Sequence, residues 1–339
     1  MTLSRGAIGN LVNRYRAVLR KCRMMNVFGS LAVAGMLVAG FAGAEELSGD
    51  ISPISLSGDT RNIIGVGDIS LRSTEPALRY LINVSGQGQL DISMSNGSPM
   101  AVGNADGIYL KDYSEYDQYA SAFHVAGSGS SGSFAGTGTF SMVGGGKLLG
   151  VCAFLSESKG TLTLSGDITG EAEAVMNGSN GYASFAAAAA GGNLVFGGDR
   201  TTLRAKASTG NNANGAFVKY GGMIDFASKS VLIESKNTDS KSVGINCADG
   251  TVKTSADTDL DIVVEGNKAT TGIQLTASSS DVQLAGNLDL TATQTGQDSF
   301  ASVLGISNDS GKMVVSGPTS LRLVTNAPFD AKGITASGK

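Results

Sequence analysis

Short segments with apolar residues at alternating positions recur about every thirty residues in the second half of the chain. Each spans three to five positions, which is the periodicity of a β-strand with one buried face. A looser apolar segment precedes each one, so the pattern predicts at least two strands in every repeat. The alternating segments are 203–205, 231–233, 260–264, 288–290 and 321–323, and the preceding segments are 193–196, 223–226, 250–252, 281–284 and 312–315.

A glycine followed by apolar residues completes each repeat and adds a third predicted strand. These glycines are Gly215, Gly244, Gly272, Gly305 and Gly333, and successive ones are 28 to 33 residues apart. Four lie twelve or thirteen residues after the alternating segment, and a five-residue insertion before Gly305 accounts for the fifth. Such regular spacing is typical of a stacked repeat rather than of loops in an ordinary globular domain.

Three strands and three turns in constant phase predict an all-β fold, a parallel β-helix solenoid with about three strands and 30 residues per coil. Each strand would then pair with its equivalents in the coils above and below. The general preference for right-handed parallel crossovers predicts a right-handed solenoid. The recurring glycine is expected at a corner where the chain bends sharply or takes a positive φ. An antiparallel sandwich and a propeller are the alternatives, although a propeller blade needs about forty residues.

The first 44 residues have the three parts of a secretory signal peptide. Six basic and no acidic residues precede or flank an apolar run from Val27 to Ala42, and Ala42-Gly43-Ala44 supplies a small-x-small cleavage site. The run is short for a bilayer-spanning helix, which needs about twenty residues, so an uncleaved anchor is the less favoured alternative. We expect three parts: the signal peptide 1–44, an irregular N-terminal β-helix region 45–159 with a candidate cap, and regular coils 160–339.

Charge and cysteine content narrow the function further. Removing the signal, with its six basic residues, changes the formal net charge from −4 to −10. Nucleic acid and anionic membranes are therefore unfavourable partners, because binding phosphate groups needs concentrated Lys and Arg. Cys152 and Cys247 are predicted to share one phase of the repeat about three coils apart, on the order of 14 Å, which is too far for a disulfide. Both are expected to be small buried residues.

The long basic signal contains Asn13-Arg14-Tyr15-Arg16 and Arg20-Lys21-Cys22-Arg23, and a repeat region rich in Gly, Ser, Thr and Asn follows it. This combination resembles the passenger region of type V secretion autotransporters of Gram-negative bacteria. The resemblance implies export through both membranes, display on or release from the cell surface, and two partners: the secretion machinery and an outer-membrane translocator barrel. Such proteins end in that barrel, which this sequence lacks, so a truncated chain is expected.

The residues that carry most enzyme chemistry are sparse. His124 is the only histidine and no Gly-x-Ser-x-Gly motif is present, so a serine-histidine triad is not expected. One histidine and two distant cysteines cannot supply a zinc site. We therefore predict no catalytic, cofactor-binding or metal-binding residues. The stretch 257–261 would place three aspartates on one strand face; a solvated outer face is favoured there over calcium binding or sugar cleavage.

The most unusual local segment is rich in tyrosine and acidic residues and lies within the longest repeat step. Insertions in repeat proteins usually emerge as surface loops, and tyrosines beside acids suit contact with carbohydrate or protein. A solvated excursion or part of a cap is the alternative. The candidate contacts are Tyr109, Asp112, Tyr113, Glu115, Tyr116 and Tyr119.

Together these features predict an exported, non-enzymatic passenger domain at the cell surface. It would act as an adhesin or stalk through multivalent contacts with glycans or proteins of a host cell or other surface. Two alternatives share the scaffold: a polysaccharide hydrolase or lyase, which would need clustered carboxylates or a basic residue in one groove, and a purely structural spacer.

Overall fold

A computed structural model describes residues 44–75, 78–95, 97–104, 119–145, 149–175, 183–208, 211–296, 302–326 and 331–337. The chain divides into two compact units, Met1–Ala44 and Glu45–Lys339, and the strands of the described ranges all lie in the second. In the same ranges, no helix is long and apolar enough to cross a membrane.

Strands in two parallel sheets make up the described part of the second unit. The first sheet contains β1 (Glu45–Asp50), β3 (Thr60–Ser73), β5 (Gln89–Met94), β6 (Pro99–Asn104), β8 (Ser131–Gly144), β10 (Thr161–Ala174), β12 (Asn193–Ala207), β14 (Gly222–Phe226), β15 (Ser230–Asn237), β17 (Gly250–Thr254), β18 (Asp259–Gly266), β20 (Ser280–Leu284), β21 (Asn287–Gln294), β23 (Lys312–Val315) and β24 (Thr319–Thr325). The second sheet contains β2 (Ile54–Ser57), β4 (Tyr80–Ser85), β7 (Tyr119–Ala126), β9 (Gly150–Glu157), β11 (Ala183–Ala190), β13 (Asn212–Lys219), β16 (Ser242–Cys247), β19 (Ala269–Leu275), β22 (Ser302–Asn308) and β25 (Ala331–Ala336).

Parallel pairing between successive turns confirms the predicted β-solenoid. In the second sheet each strand pairs only with the strands of the preceding and following turns, in the order β2-β4-β7-β9-β11-β13-β16-β19-β22-β25. Three separate strands per turn, as predicted, are present from β14 onward. In several earlier turns one long strand covers the first two segments: β12 pairs with β14 through its first half and with β15 through its second.

Glycines allow these long strands to bend between their two halves. Gly136, Gly166 and Gly198 lie near the middle of β8, β10 and β12 and have φ values of 136°, 112° and 94°. Gly136 pairs directly with Gly166, and a Cβ on Gly166 would overlap the carbonyl oxygen of Gly136. Only glycine combines this backbone conformation with so close an approach between turns.

The interior of the solenoid is filled by apolar side chains contributed by both sheets. Phe140, Phe154, Phe196 and Phe226 are fully buried and form a continuous column, with ring centroids 5.0, 5.6 and 5.4 Å apart. Contacts at these distances contribute beyond the burial of apolar area alone. The chain therefore builds a core from few aromatic residues by aligning them along the axis.

The recurring glycine does not have the backbone conformation that its spacing suggested. Gly215, Gly244 and Gly272 lie inside β13, β16 and β19, and none has a positive φ. Regular pairing skips each of them. A Cβ on Gly244 would overlap the Ile262 side chain and approach the Gly272 carbonyl oxygen to 2.6 Å. The residue is glycine because a side chain there would collide with the interior and with the next strand. Of the two expectations for this position, a sharp bend or a positive φ, the structure excludes the positive φ.

Strand pairing also corrects the phase of the repeat in the upstream turns. Gly215 is equivalent to Ala186, and through β11, β9 and β7 to Ala153 and Ala122. Gly150, which precedes Cys152 as Gly244 precedes Cys247 at nearly the same offset, pairs instead with Ala183, three residues before Ala186 in the strand. The repeating feature is a small residue in the second sheet, alanine upstream and glycine downstream.

The corrected phase separates the two cysteines, which the sequence had placed in equivalent positions. Cys152 pairs with Phe185 and points away from the interior, whereas Cys247 pairs with Val218 and belongs to the core. Both are free and buried, as predicted. Burial raises the pKa of both thiols, so neither is an activated nucleophile.

Candidate functional site

The outer side of the second sheet carries its own cluster of buried side chains, separate from the core. In β9, Val151 and Phe154 face the interior, so Cys152 and Leu155 face outward. The outer cluster contains Tyr119, Cys152, Leu155, Phe185 and Ala188, and Tyr80, Leu149, Ala183 and Phe217 pack against it.

This side of the sheet is concave, because outward side chains from the two halves of neighbouring strands contact each other across the small-residue position. Phe185 stacks on Phe217 with centroids 4.8 Å apart. Asn246 Nδ2 donates to Asn214 Oδ1 over 3.1 Å. We use the term outer groove for the cleft lined by the outward side chains of β7, β9, β11, β13, β16 and β19.

Tyr119 of the predicted contact segment lies at the apolar end of the outer groove. It is the first residue of β7, is 6% exposed, and meets Phe185 edge to face with centroids 6.0 Å apart. The pKa of its phenol is raised well above the ordinary value. Burial is the largest cause, and the electrostatic effect of the nearby Cys152 is the next. Tyr119 is therefore a buried residue of the outer cluster rather than part of an exposed loop, and its role in ligand contact stays a prediction. Tyr109, Asp112, Tyr113, Glu115 and Tyr116 lie outside the described residues.

His124 is held in a structural network that links three turns. Its Nδ1 lies 2.8 Å from Asn83 Oδ1, and its Nε2 lies 3.0 Å from Glu157 Oε2. The imidazole stacks on Tyr80 with ring centroids 4.0 Å apart, and burial raises the pKa of that tyrosine to about 12. Both ring nitrogens are thus occupied by side chains that hold the turns together.

The outer groove becomes polar beyond Phe217. Asn246 and Gln274 follow Phe217 in register on the next two strands, and Lys241 Nζ donates to Gln274 Oε1 over 2.6 Å. Asn246 Oδ1 is buried and has no hydrogen-bond partner. Lys219 Nζ lies where the apolar and polar ends meet, 4.4 Å from the Tyr220 ring centroid, 5.1 Å from that of Tyr119 and 5.8 Å from that of Phe217, which are cation–π distances.

Tyr220 stands at the rim of the groove in an unusual backbone conformation. It is 70% exposed and has a φ of 57°. A bulky residue in the left-handed region is a genuine outlier, and such strain clusters at functional sites.

The position two residues after each small residue supplies much of the groove lining, and sequence reasoning missed it. In Gly215-Ala216-Phe217, Gly244-Ile245-Asn246 and Gly272-Ile273-Gln274 the third residue points into the groove. For Asn246 and Gln274 the detectable signal was a polar residue between two apolar ones at a fixed offset from the glycine; Phe217 gave no such signal.

Paired charges occupy much of the outer face of the first sheet. Arg204 contacts Glu171 at 3.3 Å on one side and Glu234 on the other, and Lys236 contacts Glu265 at 3.0 Å. These pairs join consecutive turns across exposed strands, where each contributes about 0.2–1 kcal/mol. These charged groups therefore neutralise one another within the chain.

Two of the three aspartates of the stretch 257–261 lie on this face, whereas Asp257 lies in the turn before β18. Asp259 and Asp261 point outward while Leu260 and Ile262 are buried. Asp289 of the following turn pairs directly with Asp261. With Thr319 and Ser320 they line an open depression of about 470 Å³. No group of three or more His, Cys, Asp or Glu in the described residues has an arrangement that could hold a metal ion.

The pKa of Asp261 is raised by burial, then by Asp289 and Asp259. An acid with a raised folded-state pKa stabilises the fold below its unfolded pKa of about 3.9, and this contribution is lost as pH rises through the folded value. We expect Asp261→Asn to raise the free energy of unfolding at pH 7 by about 0.5 kcal/mol, because it removes like charges on directly paired strands. The gain should disappear near pH 3, as measured by urea unfolding at both pH values.

Asp225→Asn is the matched control, because Asp225 forms a 2.9 Å ion pair with Lys253. It should lower stability at pH 7, the opposite sign. A stabilisation by Asp261→Asn of equal size at pH 3 and pH 7 would contradict the charge-repulsion argument.

No protein-family model, curated protein or solved structure matches this chain. Its function must therefore be argued from its own geometry.

Proposed function

We propose that the chain is an exported β-helical passenger domain that acts as an adhesin or stalk at the cell surface through multivalent contacts. The observation that carries the proposal is the outer groove, in which aromatic and amide side chains follow one another in register along successive turns. Parallel strands place such side chains about 4.8 Å apart, so an extended ligand can meet several of them at once.

The signal-like N-terminus supports export, and the resemblance to type V passengers supports a translocator barrel and the secretion machinery as partners. Glycans or proteins of a host cell or another surface would be the ligands. A pure spacer needs only the solenoid, and it gives no reason for a groove with an unpartnered amide oxygen.

Binding of purified residues 45–339 to cultured host cells tests this function. We expect saturable binding that survives replacement of residues 111–118 by a short Gly/Ser loop, because this change leaves Tyr119 and the other groove side chains in place. Loss of binding in the loop variant would place the contact in that segment. If the unmodified protein does not bind, the spacer is favoured.

A polysaccharide hydrolase is the second candidate, favoured by one observation. The raised pKa of Asp261 places a more readily protonated carboxyl beside Asp289 and Asp259, and acid and base carboxyls in different protonation states are what glycoside hydrolysis needs. Release of reducing ends from a polysaccharide panel, abolished by Asp261→Asn, would support it. Activity unchanged by that substitution would exclude this depression as the site.

A further inference from the structure

We infer that the polar end of the outer groove, from Phe217 to Gln274, binds a carboxylated polysaccharide. The inference rests on the proposed function and names its ligand class and site. Four observations carry it: the amide side chains, the exposed aromatic rings, the two ammonium groups, and the absence of a free strand edge beside them.

The amides match the chemistry of sugar hydroxyls. An Asn or Gln side chain both donates and accepts hydrogen bonds, as a hydroxyl does. Asn246 Nδ2 is used by Asn214, but Asn246 Oδ1 is buried without a donor. A buried acceptor in this state is costly, and a ligand hydroxyl would satisfy it.

The rings give an apolar surface next to these amides. Phe217 is partly exposed and is held in place by stacking on Phe185. Tyr220 projects into solvent from a strained backbone, next to Gly221, which has a φ of 71°. Glycine would fit the Tyr220 conformation better, so an exposed tyrosine here is consistent with a contact role.

The ammonium groups select an anionic sugar. In the described part of the chain no carboxylate lies within ion-pair distance of Lys219 or Lys241. Burial lowers the pKa of Lys241, and the negative charge of Asp309 partly opposes this change. Glu157 does not pair with either lysine, because its carboxylate contacts His124 Nε2 at 3.0 Å. A ligand carboxylate would supply the missing counter-charge.

A peptide ligand fits this site less well than a sugar. One recurring way for an extended peptide to bind a sheet is to add a strand to an unpaired edge, where main-chain hydrogen bonds supply the affinity. Here β11, β13, β16 and β19 are each paired on both sides, so the groove offers side chains and no main-chain edge.

The experiment measures binding of purified residues 45–339 to hyaluronan, polygalacturonate and alginate, with dextran as the neutral probe. We expect at least one carboxylated polymer to bind and dextran to bind at least tenfold more weakly. Lys219→Gln with Lys241→Gln should weaken binding at least tenfold and flatten its salt dependence. Asn246→Asp, which is isosteric and introduces a negative charge, should abolish binding.

The matched control is Lys229→Gln with Lys236→Gln, which removes two exposed ammonium groups from ion pairs on the first sheet. It should leave binding within twofold of the unmodified protein. Tyr220→Gly should raise the thermal midpoint while weakening binding, a combination that a purely structural role would not produce.

Two results would overturn the inference: binding to none of the three carboxylated polymers, or equal loss of binding in the groove and control lysine variants. If cell binding persists in either case, the proposed function stands and only the ligand assignment fails. If the protein binds neither cells nor polymers, the proposed function fails as well.

Discussion

Replacing Phe154 with alanine is expected to lower the free energy of unfolding by about 3–5 kcal/mol. Phe154 is fully buried in β9, and its ring lies between Phe140 at 5.0 Å and Phe196 at 5.6 Å. The neighbouring rings are fixed by paired strands, Phe140 by β8 of the same turn and Phe196 by β12, so the cavity cannot close easily. Pulse proteolysis in urea measures the loss.

The loss should also be localised. In a solenoid each turn contacts mainly its neighbours, so amide hydrogen exchange should accelerate most in β8, β9 and β10. Tyr220→Ala is the aromatic control, because that ring is 70% exposed; its stability should change by less than about 0.5 kcal/mol. A Phe154→Ala variant as stable as this control would show that the aromatic column does not hold these turns together.

The strands of the regular turns could be predicted from sequence because one face of each is buried. The alternating segments 260–264 and 288–290 lie within β18 and β21, and the looser segments 223–226 and 281–284 lie within β14 and β20. A period of two in apolarity directly reports a strand that covers a core, and constant spacing reports its parallel partner.

The upstream phase could not be predicted from glycine alone, because the position requires a small residue whose size depends on what it faces. Gly215 faces the bulky Ile233, and a Cβ there would overlap that side chain. In an earlier turn the pair is exchanged: Ala153 faces Gly170, and a Cβ on that glycine would lie 3.2 Å from the alanine Cβ. A Cβ on Gly170 would also overlap the Phe154 ring, so in this turn the bulky side chain comes from the second sheet and the glycine lies in the first, which is why glycine spacing was misleading.

The outer groove could not be predicted from the sequence, for a different reason. Alternation shows that Asn246 and Gln274 point outward, but not that the sheet is concave there. Only the bend at the small-residue position brings Asn214 to Asn246 and Phe185 to Phe217. The predicted contact segment gave no help, since its one described residue, Tyr119, is buried.

The bend itself gives the second large expected effect: Gly272→Ala should lower the free energy of unfolding by about 1–3 kcal/mol, as overpacking does. The new Cβ would overlap the Leu290 side chain and lie 2.5 Å from the carbonyl oxygen of Gly305. Leu290 can shift only into a filled interior, and the carbonyl belongs to the paired strand β22. Neither the Leu290 side chain nor the Gly305 carbonyl can therefore move away from the new Cβ without further cost.

Gly333→Ala is the control for that prediction, because Gly333 occupies the equivalent position in β25 and a Cβ there would meet nothing within 4 Å. Neither glycine has a positive φ, so the two substitutions differ in the space around the Cβ and not in backbone strain. We expect Gly333→Ala to change stability by less than about 0.5 kcal/mol in the same urea titration. Equal losses in the two variants would mean that the column of small residues is set by backbone conformation rather than by close approach to the core.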